Sequence, residues 1–278
     1  YNNSWGNFDF NATLGGNLYK VNNQTIVTTA KDMKIRDVVA LMSFNEVSVE
    51  PYSYRKQINS IYGAVNLGWK HMLYFDATLR GDQSSTLPIS NNMYIYPSFS
   101  GSFVFSELLK LGDKLPYGKV RMSWAQVGSD TDPYQLGLVY TKSKFAYPGY
   151  TIGYISNGTI PNKDLKPTKT NSFEMGLELK FLKNRIGLDF TYYSQLSKNQ
   201  IMGMASSSTS GYGYRLINAG EIENKGVEIA LNTRPIQTKD FSWDLNFNFS
   251  KNSNKVKKLV DDMDMFELEK ASWLDVQV

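Results

Sequence analysis

Few residues in this chain could do catalytic chemistry. Across 278 residues there is one histidine, His71, and no cysteine. A Ser-His-Asp triad or a histidine metal site would have to be centred on His71, which falls at a short break between patterned runs and reads more simply as a turn residue. Thiolate sites are excluded. Glu174 and Glu178 share one face of an extended segment. A glycosidase pair also needs a cleft between its carboxylates, and nothing in the sequence supplies one. Asp261, Asp262 and Asp264 lack the glycine and spaced ligands of a calcium-binding EF-hand loop. Asp130 and Asp132, in GSDTDPY, read as turn residues. The expectation is therefore no catalytic residue, no metal site, no cofactor and no enzyme. Binding chemistry is better supplied. Tyr134, Tyr140, Tyr147, Tyr150 and Tyr154 crowd one polar stretch, and Tyr94 and Tyr96 lie in another. Aromatic rings on loops could stack on sugars or hold peptide side chains, with the hydroxyls adding directional hydrogen bonds. They could equally pack loop against loop or against a partner protein.

The totals bound the elements that could carry these residues. A net charge of +4 and a pI near 8.9 are mild for the length. No basic run is interleaved with aromatics as on a nucleic-acid face, so no nucleic-acid partner is expected. Mean hydropathy is −0.37, and no unbroken apolar run approaches the ~18 residues of a membrane helix. A membrane β-barrel is still open, because its lumen-facing residues keep the mean low.

The clearest pattern runs from Asn171 to Tyr193. Phe173, Met175, Leu177, Leu179 and Phe181 alternate with Glu174, Gly176, Glu178 and Lys180. After a break at Lys183-Asn184, Ile186, Leu188, Phe190 and Tyr192 alternate with Arg185, Gly187, Asp189, Thr191 and Tyr193. Period two with one uncharged face predicts a long antiparallel hairpin. The same pattern recurs over 7–18, 57–69, 71–82, 98–106, 119–127, 225–233 and 241–249, about nine strands in all. The breaks between them alternate in length. Those near 70, 107–117, 183 and 236–240 are short; those over 19–53, 81–97, 128–170 and 194–222 are long and read as loops, with a helix or apolar contact possible over 35–42 and a helical turn at ELLKLG. The segment from 250 onward shows no clear strand.

Up-and-down strands place every short turn at one end and every long loop at the other. Apolar-out, polar-in alternation over roughly 9 to 12 residues is what a closed barrel in a bilayer requires, because lipid cannot satisfy an open sheet edge. Trp69, Phe181, Phe241 and Trp243 lie beside short connections, where an interfacial aromatic belt belongs. The fold class is all-β, a transmembrane antiparallel barrel. Arg80, Asp82, Arg121, Glu174 and Glu178 then fall on its lumen or rim. A soluble β-rich binding or adhesin module, and an outer-membrane hydrolase barrel, are the competing readings.

Several stretches resemble the SusC/RagA-like branch of TonB-dependent outer-membrane transporters of Bacteroidetes: YFDATLRGDQSS (74–85), YPSFSGSFVFSELL (96–109), KVRMSWAQVGSDTDPY (119–134), LKPTKTNSFEMGLELKFLKNRIGLDFTYY (165–193) and NAGEIENKGVEIALN (218–232). They occur in the family's order. The resemblance implies a barrel of about 22 strands filled by an N-terminal plug. It also implies a SusD-like surface lipoprotein as lid, TonB as the source of energy, an outer-membrane location, and an oligosaccharide or peptide as cargo. On this reading residues 1–278 are part of one barrel domain, and the plug, the TonB-binding region and the closing strand are expected to lie outside the chain.

Overall fold

The computed structural model describes residues 1–110, 112–142, 149–155 and 158–259. Their strands are β1 (Asn2–Trp5), β2 (Phe8–Met33), β3 (Phe44–Trp69), β4 (Leu73–Ser84), β5 (Met93–Phe103), β6 (Tyr117–Ser129), β7 (Tyr140–Lys142), β8 (Gly153–Ile155), β9 (Thr159–Ile160), β10 (Thr168–Phe181), β11 (Ile186–Ala205), β12 (Tyr214–Gln237) and β13 (Ser242–Lys258). A one-turn helix α1 (Ser106–Leu109) forms at the ELLKLG stretch. One sheet runs β1-β2-β3-β4-β5-β6-β10-β11-β12-β13 with every neighbour antiparallel, and β9 adds a short parallel pairing to β12. The small hairpin β7-β8 stands apart from it. The sheet is open, with β1 and β13 at its edges. It is a segment of a barrel wall.

Register confirms the alternation. In the hairpin β10-β11, Leu177 pairs with Phe190 and Glu178 with Asp189, and on β6 the partners of those two are Val120 and Lys119. Apolar thus faces apolar across three strands, and charge faces charge. The apolar face is not covered by protein. Ile61, Leu79, Phe99, Phe173, Met175, Phe247 and Phe249 are all exposed. Among the described residues only Leu87, Tyr94, Val104, Leu165 and Ala219 are buried apolar residues. A soluble sandwich would bury one face of each strand in a core, which this chain does not do. The exposed belt demands another apolar phase, and a bilayer supplies it.

The turns at the short end are tight. Lys70 and His71 both adopt left-handed backbone, and the Met72 N–H donates to the Trp69 carbonyl at 2.9 Å, a two-residue hairpin whose handedness suits the strand twist. His71 therefore occupies its turn, largely exposed, 4.0 Å from Asp9. Leu182, Lys183 and Asn184 turn in the same left-handed region.

At the other end the structure corrects the loop assignments. Strands β2 and β3 each run 26 residues, in unbroken register from Phe8–Trp69 to Met33–Phe44, so the stretch 19–53 is mostly hairpin. The 3-10 turn Leu41–Ser43 sits at its tip. Likewise β11 reaches Ala205 and β12 begins at Tyr214, leaving a connection of only 206–213. A barrel strand crosses the bilayer in about 9 to 11 residues, so β2 and β3 overhang it by on the order of 50 Å of strand. Strand β13 also continues to Lys258, beyond the 249 limit read from its alternation.

Candidate binding surface and loop latch

Beyond the ends of β4 and β5, the described residues around Asp130, Tyr134, Leu136 and Leu165 pack onto the sheet, beside two polar constellations and a small core. The first centres on Asp130, which accepts from the Lys56 ammonium at 2.7 Å, from the Thr86 hydroxyl at 3.0 Å and from the Ser84 hydroxyl. The Lys56 and Asp130 side chains are 20% and 11% exposed, and Ser84 and Thr86 are buried. Lys56 comes from β3, Ser84 from β4, Thr86 from the β4-β5 loop and Asp130 from the residue after β6. Four separate parts of the chain thus meet at one carboxylate. Asp130 is not merely a turn residue, and this is the principal correction to its sequence reading.

In the second constellation, Arg80 Nε donates to Asp82 Oδ1 at 2.8 Å and its Nη2 to the Ser60 hydroxyl at 3.0 Å. The Tyr96 hydroxyl donates to Asp82 Oδ2. Asp82 is buried, and these donors satisfy its carboxylate. Beside it lies the core of Leu87, Tyr94 and Leu165, with Tyr96, Leu136, Ile201 and Leu216 packed around. Tyr94 and Tyr96 stack at 5.8 Å between ring centroids. A Cβ on Gly128 would come within 2.6 Å of the Tyr94 ring, so glycine in GSDTDPY lets that ring lie against the backbone.

The tyrosines singled out from the sequence separate accordingly. Tyr94 and Tyr96 stand on β5 and not in a loop, since β4 reaches Ser84 and β5 begins at Met93; Tyr94 is buried and Tyr96 half-buried, and both act in packing. Tyr134 is exposed, and its hydroxyl accepts the Arg55 backbone N–H at 3.1 Å, tying the long loop to β3. Tyr140, Tyr150 and Tyr154 are exposed. Tyr140 pairs with Ile155, and Tyr154 is one register position on, so the rings of Tyr140 and Tyr154 project to opposite faces of their hairpin and do not form one stacking platform. Tyr147, like Asp261, Asp262 and Asp264, lies outside the described residues.

Lower on the polar face Arg121 holds three strands together. Its guanidinium makes a bidentate pair with Asp189, at 3.1 Å to each carboxylate oxygen, and donates to Thr191 at 2.6 Å. Its Nε is 3.7 Å from Glu174. The side chain reaches from β6 to β11 across Gly176 of β10, where a Cβ would stand 2.5 Å from Arg121 Nε. Glu178 pairs with Lys180 at 3.6 Å. No cluster of three metal-ligating side chains occurs among the described residues.

Comparison with known proteins decides the family. Residues 1–265 match the family described as "TonB dependent receptor-like, beta-barrel". The chain belongs to that family. As a TonB-dependent receptor barrel it resides in the outer membrane, with its apolar face toward lipid, its polar face toward the lumen, its short turns periplasmic and its long loops outside. Similar proteins include TonB-dependent receptor P3 of Formosa agariphila, 29% identical over 277 residues, covering 96% of this chain and 27% of that protein. TonB-dependent receptor SusC of Bacteroides thetaiotaomicron is 30% identical over 225 residues, covering 77% of this chain and 22% of that protein. Among solved structures, the RagAB peptide importer in its open-open state superposes with a TM-score of 0.85 at 22% identity, covering 98% of this chain and 30% of that one. The chain thus spans 22% to 27% of the length of these two receptors.

Proposed function

We propose that this TonB-dependent receptor barrel segment belongs to a SusC-like importer that takes up oligosaccharides or peptides with the help of a SusD-like surface lipoprotein. On this reading, capture occurs at the long-loop end, TonB engages a region of the protein outside this chain, and the cargo passes along the polar lumen. The supporting observation is the latch. Asp130 fixes the base of the segment that carries the exposed Tyr134, Tyr140, Tyr150 and Tyr154. An importer needs such a surface, held at the mouth and exposed to cargo on several sides. Rings on different faces suit a flexible chain better than a single flat sugar platform. The charged lining around Arg121 lies where a plug or a cargo would pass.

The test is uptake by cells carrying the full-length receptor beside its neighbouring surface lipoprotein. Deleting the receptor should abolish growth on one glycan or peptide source, and Tyr140→Ala with Tyr150→Ala and Tyr154→Ala should weaken capture of that same source. Co-purification of the lipoprotein with the receptor is also expected. Unchanged growth of the deletion strain on every oligosaccharide and peptide tried would overturn the proposal.

A further inference from the structure

The lumen face changes character across the sheet. On β6, β10 and the near side of β11 it is charged and internally paired, with Arg121 on Glu174 and Asp189, and Lys180 on Glu178. On β12 and β13 it becomes a field of carboxamides. From 246 to 254 the lumen-facing positions of β13 are Asn246, Asn248, Ser250, Asn252 and Asn254, and opposite the last two stand Gly226 and Asn224 of β12. Gln195 of β11 is opposite Asn224 in turn, so Gln195, Asn224 and Asn254 form one row. None of these side chains makes a hydrogen bond among the described residues, and Asn224 Oδ1 is buried without a donor. In the next row Tyr193 is opposite Gly226, and Gly226 is opposite Asn252. A Cβ on Gly226 would stand 2.6 Å from Tyr193 Oη and 2.8 Å from its Cζ. The Tyr193 ring therefore leans across bare backbone and turns its other face to the lumen. It lies roughly 23 Å of strand beyond Ile186 at the short turn. That is the outer end of the belt: on the outward face Tyr192 pairs with Val227, and the next outward pair is Ser194 with Lys225.

The tyrosines of the long loops form no single stacking platform, but this lumen ring does. An aromatic face bordered by carboxamides suits a sugar ring on two counts. The apolar face of a pyranose stacks on the tyrosine, and its hydroxyls, each both donor and acceptor, match carboxamides that are both as well. Charge selects the kind of sugar. Glu174, beside Tyr193 on β10, is engaged by Arg121. Glu228, opposite Thr191 one row below, has no cation at ion-pair distance among the described residues. An acidic glycan would meet that carboxylate with no free cation to receive its own charge, whereas a neutral glycan can donate a hydroxyl to it. A peptide backbone would bond to the carboxamides too, but it has no flat apolar face to lay on Tyr193. We propose that Tyr193, with Gln195, Asn224 and Asn252, is a lumen subsite for one pyranose unit of a neutral oligosaccharide. The inference rests on the importer reading above and selects a neutral glycan over a peptide as the cargo.

The test uses the full-length receptor in nanodiscs, offered three pools: short neutral oligosaccharides from partial hydrolysis of plant, yeast and algal polysaccharides, uronic-acid oligosaccharides of the same lengths, and a tryptic digest. Retained ligands are released and identified by mass spectrometry. Neutral oligosaccharides should be retained above both other pools. Tyr193→Ala should cut that retention on the order of 10-fold through loss of the stacked face, and Asn224→Ala with Asn252→Ala should weaken it by a similar factor. Tyr193→Phe keeps the ring and should retain most of the binding. So should Tyr62→Ala, which removes a lumen tyrosine that leans on Gly15 but has Arg80 opposite it on β4 in place of a carboxamide. Undiminished neutral-glycan retention in Tyr193→Ala would overturn the subsite and leave the importer reading standing. Preference for the uronic-acid pool or the digest would overturn the choice of a neutral glycan, again without touching import. Retention of none of the pools would overturn both.

Discussion

Asp130→Ala should release the long loop while leaving the barrel standing. Removing one member of a largely buried ion pair costs about 3 to 5 kcal/mol, because the other charge is left without a partner. Here Lys56 loses its carboxylate, and the side chains are 20% and 11% exposed, so solvent screens the pair only slightly. Ser84 and Thr86 lose an acceptor as well, but their hydroxyls are 2.9 Å apart and keep each other, so that addition is small. A loss of about 3 kcal/mol raises the open population of the loop by roughly 150-fold. Amide hydrogen exchange on the full-length receptor in nanodiscs reads this directly: exchange over 130–142 and 158–167 should accelerate by about that factor, with the strand amides of β10 and β11 unchanged. Asp132→Ala, at an exposed position two residues on, should shift exchange by less than about 0.5 kcal/mol equivalent. Lys56→Met combined with Asp130→Leu should recover much of the lost protection, since it removes both charges and leaves neither stranded. Unchanged loop exchange in Asp130→Ala, or equal acceleration throughout the barrel, would refute the latch.

Other consequences can be measured in the same system. Leu177→Arg puts a charge on the lipid face near the middle of the belt and should cost roughly 2 to 4 kcal/mol in a folding titration into bilayers, whereas Glu178→Arg on the lumen face should be much milder. Gly176→Val should push the Arg121 guanidinium off Asp189, at about 1 to 3 kcal/mol for overpacking, read in the same titration. Leu165→Ala empties a fully buried position of the loop core and should cost about 2 to 5 kcal/mol of loop protection by hydrogen exchange.

Legibility in the sequence followed the physics of each region. Inside the bilayer two solvents face the two sides of a strand, so Phe173 to Phe181 and their neighbours alternate strictly, and faces and turns could be read from them. Outside the bilayer both faces meet water and the alternation dissolves. That is why the overhangs of β2 and β3 read as loop; their remaining signal was the β-branched run of Thr25, Ile26, Val27, Thr28 and Thr29. The latch was hidden for another reason. Lys56, Ser84, Thr86 and Asp130 are far apart in the chain and of types common on any surface, and only the sheet register brings them together. Tyr94 and Tyr154 are the same residue in similar polar stretches, yet one is buried and the other exposed; that difference depends on Leu87 and Leu165 arriving on β5 from two loops.

The central claim, that this sheet is a barrel wall with its uncharged face in lipid, has a direct test in the absence of cysteine from the chain. Single cysteines placed in turn along 173–181 and 186–193 of the full-length receptor, with any cysteine outside this chain replaced by serine, can carry spin labels, whose collisions with oxygen and with a water-soluble nickel complex are measured in outer-membrane vesicles or nanodiscs. Oxygen maxima are expected at Phe173, Met175, Leu177, Leu179 and Phe181, then at Ile186, Leu188, Phe190 and Tyr192, with nickel accessibility in the opposite phase. A profile without period two, or with its phase inverted, would contradict it.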